Sequence, residues 1–322
     1  MLNSRAAPRI EVYAHRGLRA YSPENTLPGY QAMLEVGADW VDMDVVLTKD
    51  GEVLVSHDPV LNPDTTRDEN GKFLAKNRES IMTGSPAEMF AYVQKYTVKN
   101  LTLAELRRFD VGRLNPESAY SRLFPDQHPV DGTRMPTLRE VVRYIQKRTK
   151  GKIGFQIEMK ALPTHPELSP NPEKFAAALA EILKSEKIVK QTEIQSFDFT
   201  CLSALQKIDR RFRTAYLTSR DHGEAYAKDY GGSIPKMVKA LGGFAWEPED
   251  ATLTPESLKE AKDLGLKVVV WSWPEKLGMA FDPKLVEKMI DWRVDGIITD
   301  DPGRLNSMLA ARGLPTPQKW RR

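Results

Sequence analysis

Short apolar runs of strand length alternate with amphipathic helical segments along most of the chain. The first run covers residues 10–14, and a helix follows it, with Asn25 or Thr26 as its cap and Gly37 at its end. The second run covers residues 40–47. This alternation is typical of parallel strands that are joined by crossover helices.

The alternation is interrupted after the second run. A tight-turn sequence at residues 49–51 predicts that residues 52–57 fold back as a hairpin strand. Residues 58–136 are rich in polar residues, Pro and Gly, and we expect one helix there, opened by the capping box of Thr102 and Glu105. The segment also carries apolar residues that could pack it down, among them Phe90, Tyr92, Tyr96 and Phe109. We therefore interpret it as an insertion rather than a linker.

A second capping box, formed by Thr137 and Glu140, marks the point where the alternation resumes. Six further strand-like runs follow, at residues 153–158, 193–197, 214–217, 243–246, 267–271 and 296–299. Without the hairpin strand, the chain has eight principal strands. This number predicts an α/β fold, a closed (β/α)₈ barrel. We expect the barrel to form one domain over residues 1–322. A doubly wound open sheet is the alternative, but the first strand is not followed by the glycine-rich phosphate turn of that fold.

Composition narrows the classes of function. The net charge of +3 is too weak to favour binding to nucleic acid or to an anionic membrane surface. No apolar run approaches the ~18 residues of a membrane span, and the single cysteine, Cys201, rules out an internal disulfide. The first residues are polar and too few for a signal peptide, so we expect a cytoplasmic protein, with an exported form as the alternative if a leader has been removed. Nothing in the sequence indicates an oligomeric state.

Acidic residues occur where a barrel places its catalytic groups, towards the C-terminal ends of strands. Asp42 and Asp44 are two residues apart on the second strand, and Glu158 and Lys160 are two apart on the third barrel strand, so each pair shares one face. Adjacent buried carboxylates raise each other's pKa unless a cation neutralises them. An all-oxygen set suits Mg²⁺, Ca²⁺ or Mn²⁺ better than Zn²⁺. The alternative is a salt-bridge network of these acids with Arg16 and Lys160.

Two of the five histidines close strands and precede a charged residue. His15 ends the first strand and is followed by Arg16, and His57 ends the hairpin and is followed by Asp58. Either histidine alone could be a packed structural residue, but as a pair around a metal site they suit a general acid and a general base. The other three histidines are expected at the surface, in predicted loops: His128, His165 and His222.

The chain resembles the glycerophosphodiester phosphodiesterase family in a series of short motifs that keep their order over nearly the whole length. The motifs are His15-Arg16-Gly17, Pro23-Glu24-Asn25-Thr26, Asp42-Met43-Asp44-Val45, Leu47-Thr48-Lys49-Asp50-Gly51, His57-Asp58-Pro59, Ile157-Glu158-Met159-Lys160, Gln195-Ser196-Phe197, Val270-Trp271-Ser272-Trp273 and Asp295-Gly296-Ile297-Ile298-Thr299-Asp300. Each piece alone is common, whereas their number and order are specific.

The resemblance implies a barrel enzyme with an insertion after the second strand. The implied reaction is the metal-dependent hydrolysis of small-molecule glycerophosphodiesters to glycerol 3-phosphate and an alcohol, and lysophospholipids are an alternative substrate within the family. In this family the histidines that match His15 and His57 act as acid and base. The attacking group is water or a neighbouring hydroxyl of the substrate.

The resemblance also implies ligands for one divalent cation, Mg²⁺ or Ca²⁺ with Mn²⁺ as a further candidate. The matching positions are Asp42, Asp44 and Glu158, while Arg16 and Lys160 match residues that contact phosphate. Asp42 departs from the family pattern, which has Glu there. Because aspartate is one methylene shorter, the metal must shift, the strand must adjust or a water must intervene.

Two further residues are candidates for the substrate pocket. Glu24 lies at a helix start, where its carboxylate could equally serve the helix dipole. Trp271 ends a strand two residues before Trp273, and such indoles either pack the rim or line the alcohol pocket, where one could receive a choline cation.

Two functions outside this family are alternatives to the predicted phosphodiesterase. A metal-dependent glycosyltransferase would use the D-x-D pair to bind a nucleotide sugar, but it predicts an open sheet and leaves His15, His57 and the pair Glu158 and Lys160 without a role. A non-catalytic barrel that binds phosphate compounds would require one of the acid–base or metal positions to be missing.

Overall fold

The structure of the protein is a computed structural model that describes residues 9–162, 164–220 and 222–320. The strands in this part of the chain are β1 (Glu11–Ala14), β2 (Trp40–Leu47), β3 (Val53–Val55), β4 (Gly154–Met159), β5 (Thr192–Ser196), β6 (Arg213–Thr218), β7 (Ala245–Pro248), β8 (Lys267–Val270) and β9 (Gly296–Thr299). The α-helices are α1 (Leu27–Val36), α2 (Arg78–Met82), α3 (Pro86–Tyr96), α4 (Leu103–Leu106), α5 (Ala119–Leu123), α6 (Leu138–Thr149), α7 (Pro172–Ser185), α8 (Phe199–Ile208), α9 (Glu224–Ala227), α10 (Ile234–Ala240), α11 (Pro255–Asp263), α12 (Pro274–Leu277), α13 (Pro283–Trp292) and α14 (Pro302–Ala311). Short 3₁₀ helices cover Val98–Asn100, Val189–Gln191 and Lys228–Tyr230.

Eight parallel strands close into a barrel. They follow the order β1, β2, β4, β5, β6, β7, β8, β9, and β9 pairs again with β1. The remaining strand, β3, lies antiparallel to β2 as the predicted hairpin. The predicted (β/α)₈ barrel is therefore confirmed, and the open sheet expected for a doubly wound fold or for the glycosyltransferase alternative is wrong.

The barrel strands are buried on both faces, which explains their nearly continuous apolar runs. All eight residues of β2 are buried. The helices cover the outside with amphipathic faces; α6, for example, begins at the Thr137 capping box and buries Leu138, Val141 and Ile145. The helix after β1 is capped by Thr26 rather than Asn25 and ends at Gly37, whose φ of 97° suits glycine.

The insertion, residues 58–136, is more helical than the sequence predicted. The capping box of Thr102 and Glu105 does open a helix, α4, but α2, α3 and α5 also form there. The expectation of one helix was wrong because these short helices depend on local caps and tertiary contacts rather than on a long apolar stripe.

Packing of the insertion follows the prediction only in part. Tyr96 and Phe109 pack on a small core with Leu54 of the hairpin and Leu106. Phe90 does not take part, since it is 66% exposed on α3. Within residues 9–162, 164–220 and 222–320, no helix is both long and apolar enough to cross a membrane.

Candidate active site

Strand register brings the predicted acidic residues together at the C-terminal end of the barrel. The Cα of Asp44 on β2 lies opposite that of Glu158 on β4, which in turn lies opposite that of Gln195 on β5. Asp42 lies two residues before Asp44 and shares its face. Three neighbouring strands therefore place carboxylate and amide side chains in one row.

Each carboxylate in this row has a different hydrogen-bond partner. Asp42 Oδ1 accepts from Gln195 Nε2 at 2.9 Å. Asp44 Oδ2 accepts from Asn25 Nδ2 at 2.8 Å, and Glu158 Oε1 accepts from Lys160 Nζ at 2.7 Å. All three carboxylates are buried.

Burial and mutual repulsion shift the pKa values of the three acids apart. Burial, and then the charges of Asp44 and Glu158, raise the pKa of Asp42 well above its usual range. Burial and the nearby Asp44 also raise the pKa of Glu158, to about 7, although Lys160 opposes the shift. Burial alone would raise the pKa of Asp44 too, but Arg16 and other nearby cations hold it well below its usual value. The cluster thus carries more carboxylate than its own cations neutralise.

Ion pairs account for two of the three acids. Arg16 Nε lies 3.2 Å from Asp44 Oδ2, and Lys160 pairs with Glu158. No described residue forms an ion pair with Asp42, so the salt-bridge alternative covers only part of the cluster. As the side chains stand, the described residues contain no group of three or more His, Cys, Asp or Glu in an arrangement that holds a metal ion.

The two predicted histidines flank the acidic row, and each has Nδ1 beside a carboxylate. His15 Nδ1 lies 2.8 Å from Asp300 Oδ1, and His57 Nδ1 lies 3.2 Å from Asp58 Oδ1. With Nδ1 turned to a carboxylate, each ring directs Nε2 towards a cation of the site. His15 Nε2 lies 3.3 Å from Arg16 Nε, and His57 Nε2 lies 3.0 Å from Lys160 Nζ.

The His15 side is built from barrel elements. Asp300 follows β9, and Arg19 holds it with two hydrogen bonds, from Nε at 2.7 Å and Nη2 at 2.8 Å. The Arg19 side chain is only 1% exposed. Burial lowers the pKa of His15, Arg19 lowers it further, and Asp300 partly offsets the shift by favouring the imidazolium.

The His57 side is built by the hairpin and the insertion. Asp58 accepts from Asn62 Nδ2 at 3.0 Å and from Arg78 Nη1 at 3.5 Å, and the Arg78 side chain is 56% exposed. Burial, together with Arg16 and Lys160, lowers the pKa of His57, while Asp58 raises it. A cavity of about 30 Å³ lies beside His57 and Asp58, and insertion residues such as Asn62 also line it.

Arg16 owes its position to an unusual backbone. Arg16 and Asn25 both have left-handed φ values, 52° and 56°, which non-glycine residues rarely adopt. The Asn25 amide donates to Arg16 O at 2.9 Å, which ties the two residues together. Backbone strain of this kind is concentrated at functional sites.

The two substrate-pocket candidates differ in what they contact. Glu24 precedes the helix cap, so the role on the helix dipole is wrong. Its Oε1 accepts from Arg16 Nη1 at 2.9 Å. Trp271 is 8% exposed, donates from Nε1 to Glu247 O at 2.9 Å and meets Trp273 edge-on with 5.0 Å between ring centroids.

Sequence reasoning missed several residues that shape the site. Gln195 lies in one of the motifs quoted above, but no role was predicted for it. Arg19 donates from Nη1 to the Tyr120 hydroxyl at 2.8 Å. No sequence pattern marked either residue, since neither lies on a strand. His222 was expected at the surface, but it is half-buried against Phe197, whose carbonyl lies 2.7 Å from His222 Nε2.

Comparison with known proteins identifies the family. The sequence model of the glycerophosphoryl diester phosphodiesterase family matches residues 15–304, a stretch that includes all the predicted site residues. The chain belongs to this family. The family predicted from the motifs is therefore confirmed, and with it the class of phosphoric diester hydrolases.

Two relatives from this comparison match over nearly their full length. A glycerophosphodiester phosphodiesterase from Caldanaerobacter subterraneus subsp. tengcongensis is 27% identical over 303 residues, 94% of this chain and 98% of the relative. A crystal structure from Silicibacter pomeroyi, provisionally assigned as a glycerophosphoryl diester phosphodiesterase, has a TM-score of 0.81 and 31% identity, covering 95% of each chain.

A third comparison concerns the fold alone. An Oleispira antarctica phosphodiesterase, solved in complex with the product sn-glycerol-3-phosphate, has a TM-score of 0.66 and 21% identity. It covers 94% of this chain and 97% of its own.

Proposed function

We propose that this protein hydrolyses glycerophosphodiesters to glycerol 3-phosphate and an alcohol, with a divalent cation and two histidines. Family membership supports the reaction class. The observation that carries the proposal is the matched pair of histidines, each held at Nδ1 by a carboxylate and directed at Nε2 towards Arg16 or Lys160 beside the acidic row.

The residues of the acidic row fit a hard divalent cation. Asp42, Asp44 and Glu158 supply oxygen donors, the kind that Mg²⁺, Ca²⁺ and Mn²⁺ prefer. Burial, and then the charges of Asp44 and Glu158, raise the pKa of Asp42, and Gln195 Oε1 is buried beside it without a hydrogen-bond partner. A cation held by the three carboxylates would polarise a phosphoryl oxygen as a Lewis acid.

Arg16 and Lys160 are placed to bind the phosphate of the substrate. The planar guanidinium of Arg16 can grip two phosphate oxygens, and the ammonium of Lys160 adds a compact positive charge. Glu24 and Asp44 hold Arg16 from two sides, at 2.9 Å and 3.2 Å. The phosphate would therefore lie between His15 and His57.

The histidines supply the proton transfers. One takes a proton at Nε2 from the attacking hydroxyl, and the other delivers a proton from Nε2 to the leaving alcohol. Asp300 and Asp58 fix the ring orientation and stabilise the imidazolium that forms. If water attacks, glycerol 3-phosphate forms directly. If a neighbouring hydroxyl of the substrate attacks, the alcohol leaves and a cyclic phosphate forms, which a water molecule then opens to glycerol 3-phosphate with the two histidine roles reversed.

The test is release of glycerol 3-phosphate from glycerophosphocholine. We expect release that EDTA stops and that Mg²⁺, Ca²⁺ or Mn²⁺, added back separately, restores. Release that continues in EDTA would contradict the proposed cation. If no ion gives release, lysophosphatidylcholine is the next substrate, and failure there as well would overturn the proposed hydrolysis.

A further inference from the structure

Tyr120, on helix α5 of the insertion, connects the two arginines of the site. Its hydroxyl accepts a hydrogen bond from Arg19 Nη1 at 2.8 Å and donates one to Glu24 Oε2. The ring packs edge-on against Phe124 with 5.1 Å between centroids, and the Arg19 guanidinium lies 4.7 Å from the Phe124 centroid. A side chain 101 positions from Arg19 in sequence therefore completes its hydrogen bonding.

Together these contacts form one chain of hydrogen bonds and ion pairs across the mouth of the barrel. Its members, in order, are His15, Asp300, Arg19, Tyr120, Glu24, Arg16 and Asp44. Tyr120 is the only insertion residue in this sequence of contacts. Every other member lies on or next to a barrel strand or the turn before α1.

The protonation states suit this bridging role. Burial raises the pKa of Tyr120 well above 10.0, so the hydroxyl keeps its proton and can donate it in a hydrogen bond. Burial opposes ionisation of Glu24, but Arg16 and Arg19 lower its pKa overall, so it accepts as a carboxylate. Hydrogen bonds between a neutral donor and a buried carboxylate are among the strong ones.

We propose that Tyr120 is a positioning residue, through which the insertion fixes Glu24 and hence the phosphate-binding orientation of Arg16. The inference rests on the proposed function of the same site. Without the hydroxyl, Glu24 loses a donor and Arg19 Nη1 loses an acceptor, so both side chains gain freedom to turn. Tyr120 itself does not contact the reacting atoms.

The test compares Tyr120→Phe with wild type and with Tyr92→Phe. Tyr92 is the control, because its hydroxyl too is hydrogen-bonded, but only to Leu61 O within the insertion, at 2.8 Å, and it lies outside the chain of contacts. We expect Tyr120→Phe to lower kcat/KM about 10- to 100-fold, the range for a hydrogen bond to a charged group. Tyr92→Phe should stay within about 2-fold of wild type, with a similar midpoint of thermal unfolding in both variants.

A double variant separates positioning from a merely structural role. If Tyr120 acts through Glu24, the Tyr120→Phe/Glu24→Gln variant should be no slower than Glu24→Gln alone, and multiplied losses would overturn the inference. Equal activity of Tyr120→Phe and wild type would also overturn it, while leaving the proposed function intact. A wild-type protein that releases no product from either substrate class overturns both.

Discussion

The two histidines of the site differ in what holds them, although their immediate geometry is alike. Asp300, which contacts His15, pairs with Arg19, and the Arg19 side chain is 1% exposed and follows barrel strand β1. Asp58, behind His57, meets an arginine that is 56% exposed and comes from insertion helix α2. The His15 side is thus a buried network, and the His57 side is a solvated contact.

This difference indicates a division of roles between the barrel and the insertion. Buried, fully paired charges hold one geometry, because breaking the pair leaves a charge without compensation. Exposed pairs contribute little to stability and allow adjustment. The cavity of about 30 Å³ beside His57 and Asp58 lies on the side with the exposed pair. We therefore expect differences in the insertion near His57 to change which alcohol is accepted, whereas on the His15 side the insertion acts through the contact of Tyr120 with Arg19.

Removal of either imidazole should have the largest effect on activity, since the proposed reaction needs both. We expect His15→Ala and His57→Ala each to lower kcat by about 10²–10⁴-fold without loss of the folded state. Steady-state assays, with circular dichroism as a check on folding, measure this. Normal turnover in one variant would remove that histidine from the proposed acid–base pair.

Truncation of Arg19 should destabilise the fold strongly. Arg19→Ala leaves the buried Asp300 carboxylate without its cation, and we expect a loss of about 3–5 kcal/mol in the free energy of unfolding. Urea denaturation measures it. A loss below about 1 kcal/mol, as for a surface pair, would show that the two sides are held equally loosely.

Truncation of Arg78, the arginine beside Asp58, should have the smallest effect on stability. Arg78→Ala removes an exposed partner 3.5 Å from Asp58, and we expect the free energy of unfolding to change by less than about 1 kcal/mol. Urea denaturation beside Arg19→Ala gives the direct comparison. A loss as large as that of Arg19→Ala would contradict the contrast between the two sides.

The barrel and most of its polar strand ends were predictable from the sequence. Periodicity of two places Asp42 and Asp44 on one face, and the rule that catalytic groups lie at strand ends selects His15 and Glu158. These inferences need only local geometry. Hence the predicted run at residues 153–158 corresponds to β4 with a shift of a single residue.

The insertion was not predictable in the same way. Its helices are short and depend on caps and distant contacts, so no periodic pattern marks Tyr120 as a neighbour of Arg19. Phe90 was expected to pack because it is apolar, but no residue of α3 is buried and Phe90 is 66% exposed. Local sequence thus indicates which residues can pack, but it does not indicate which residues they contact in the fold.

Whether one histidine acts as base and the other as acid can be tested with pH profiles of kcat/KM for Asp300→Asn and Asp58→Asn. Each carboxylate raises the pKa of its own histidine, so its neutralisation should lower that pKa. The limb governed by His15 should therefore move to lower pH in Asp300→Asn, and the limb governed by His57 should do so in Asp58→Asn. We predict that one variant moves the acidic limb and the other the alkaline limb, which also assigns the two roles. Movement of the same limb in both variants, or of neither limb, would contradict the proposed acid–base pair.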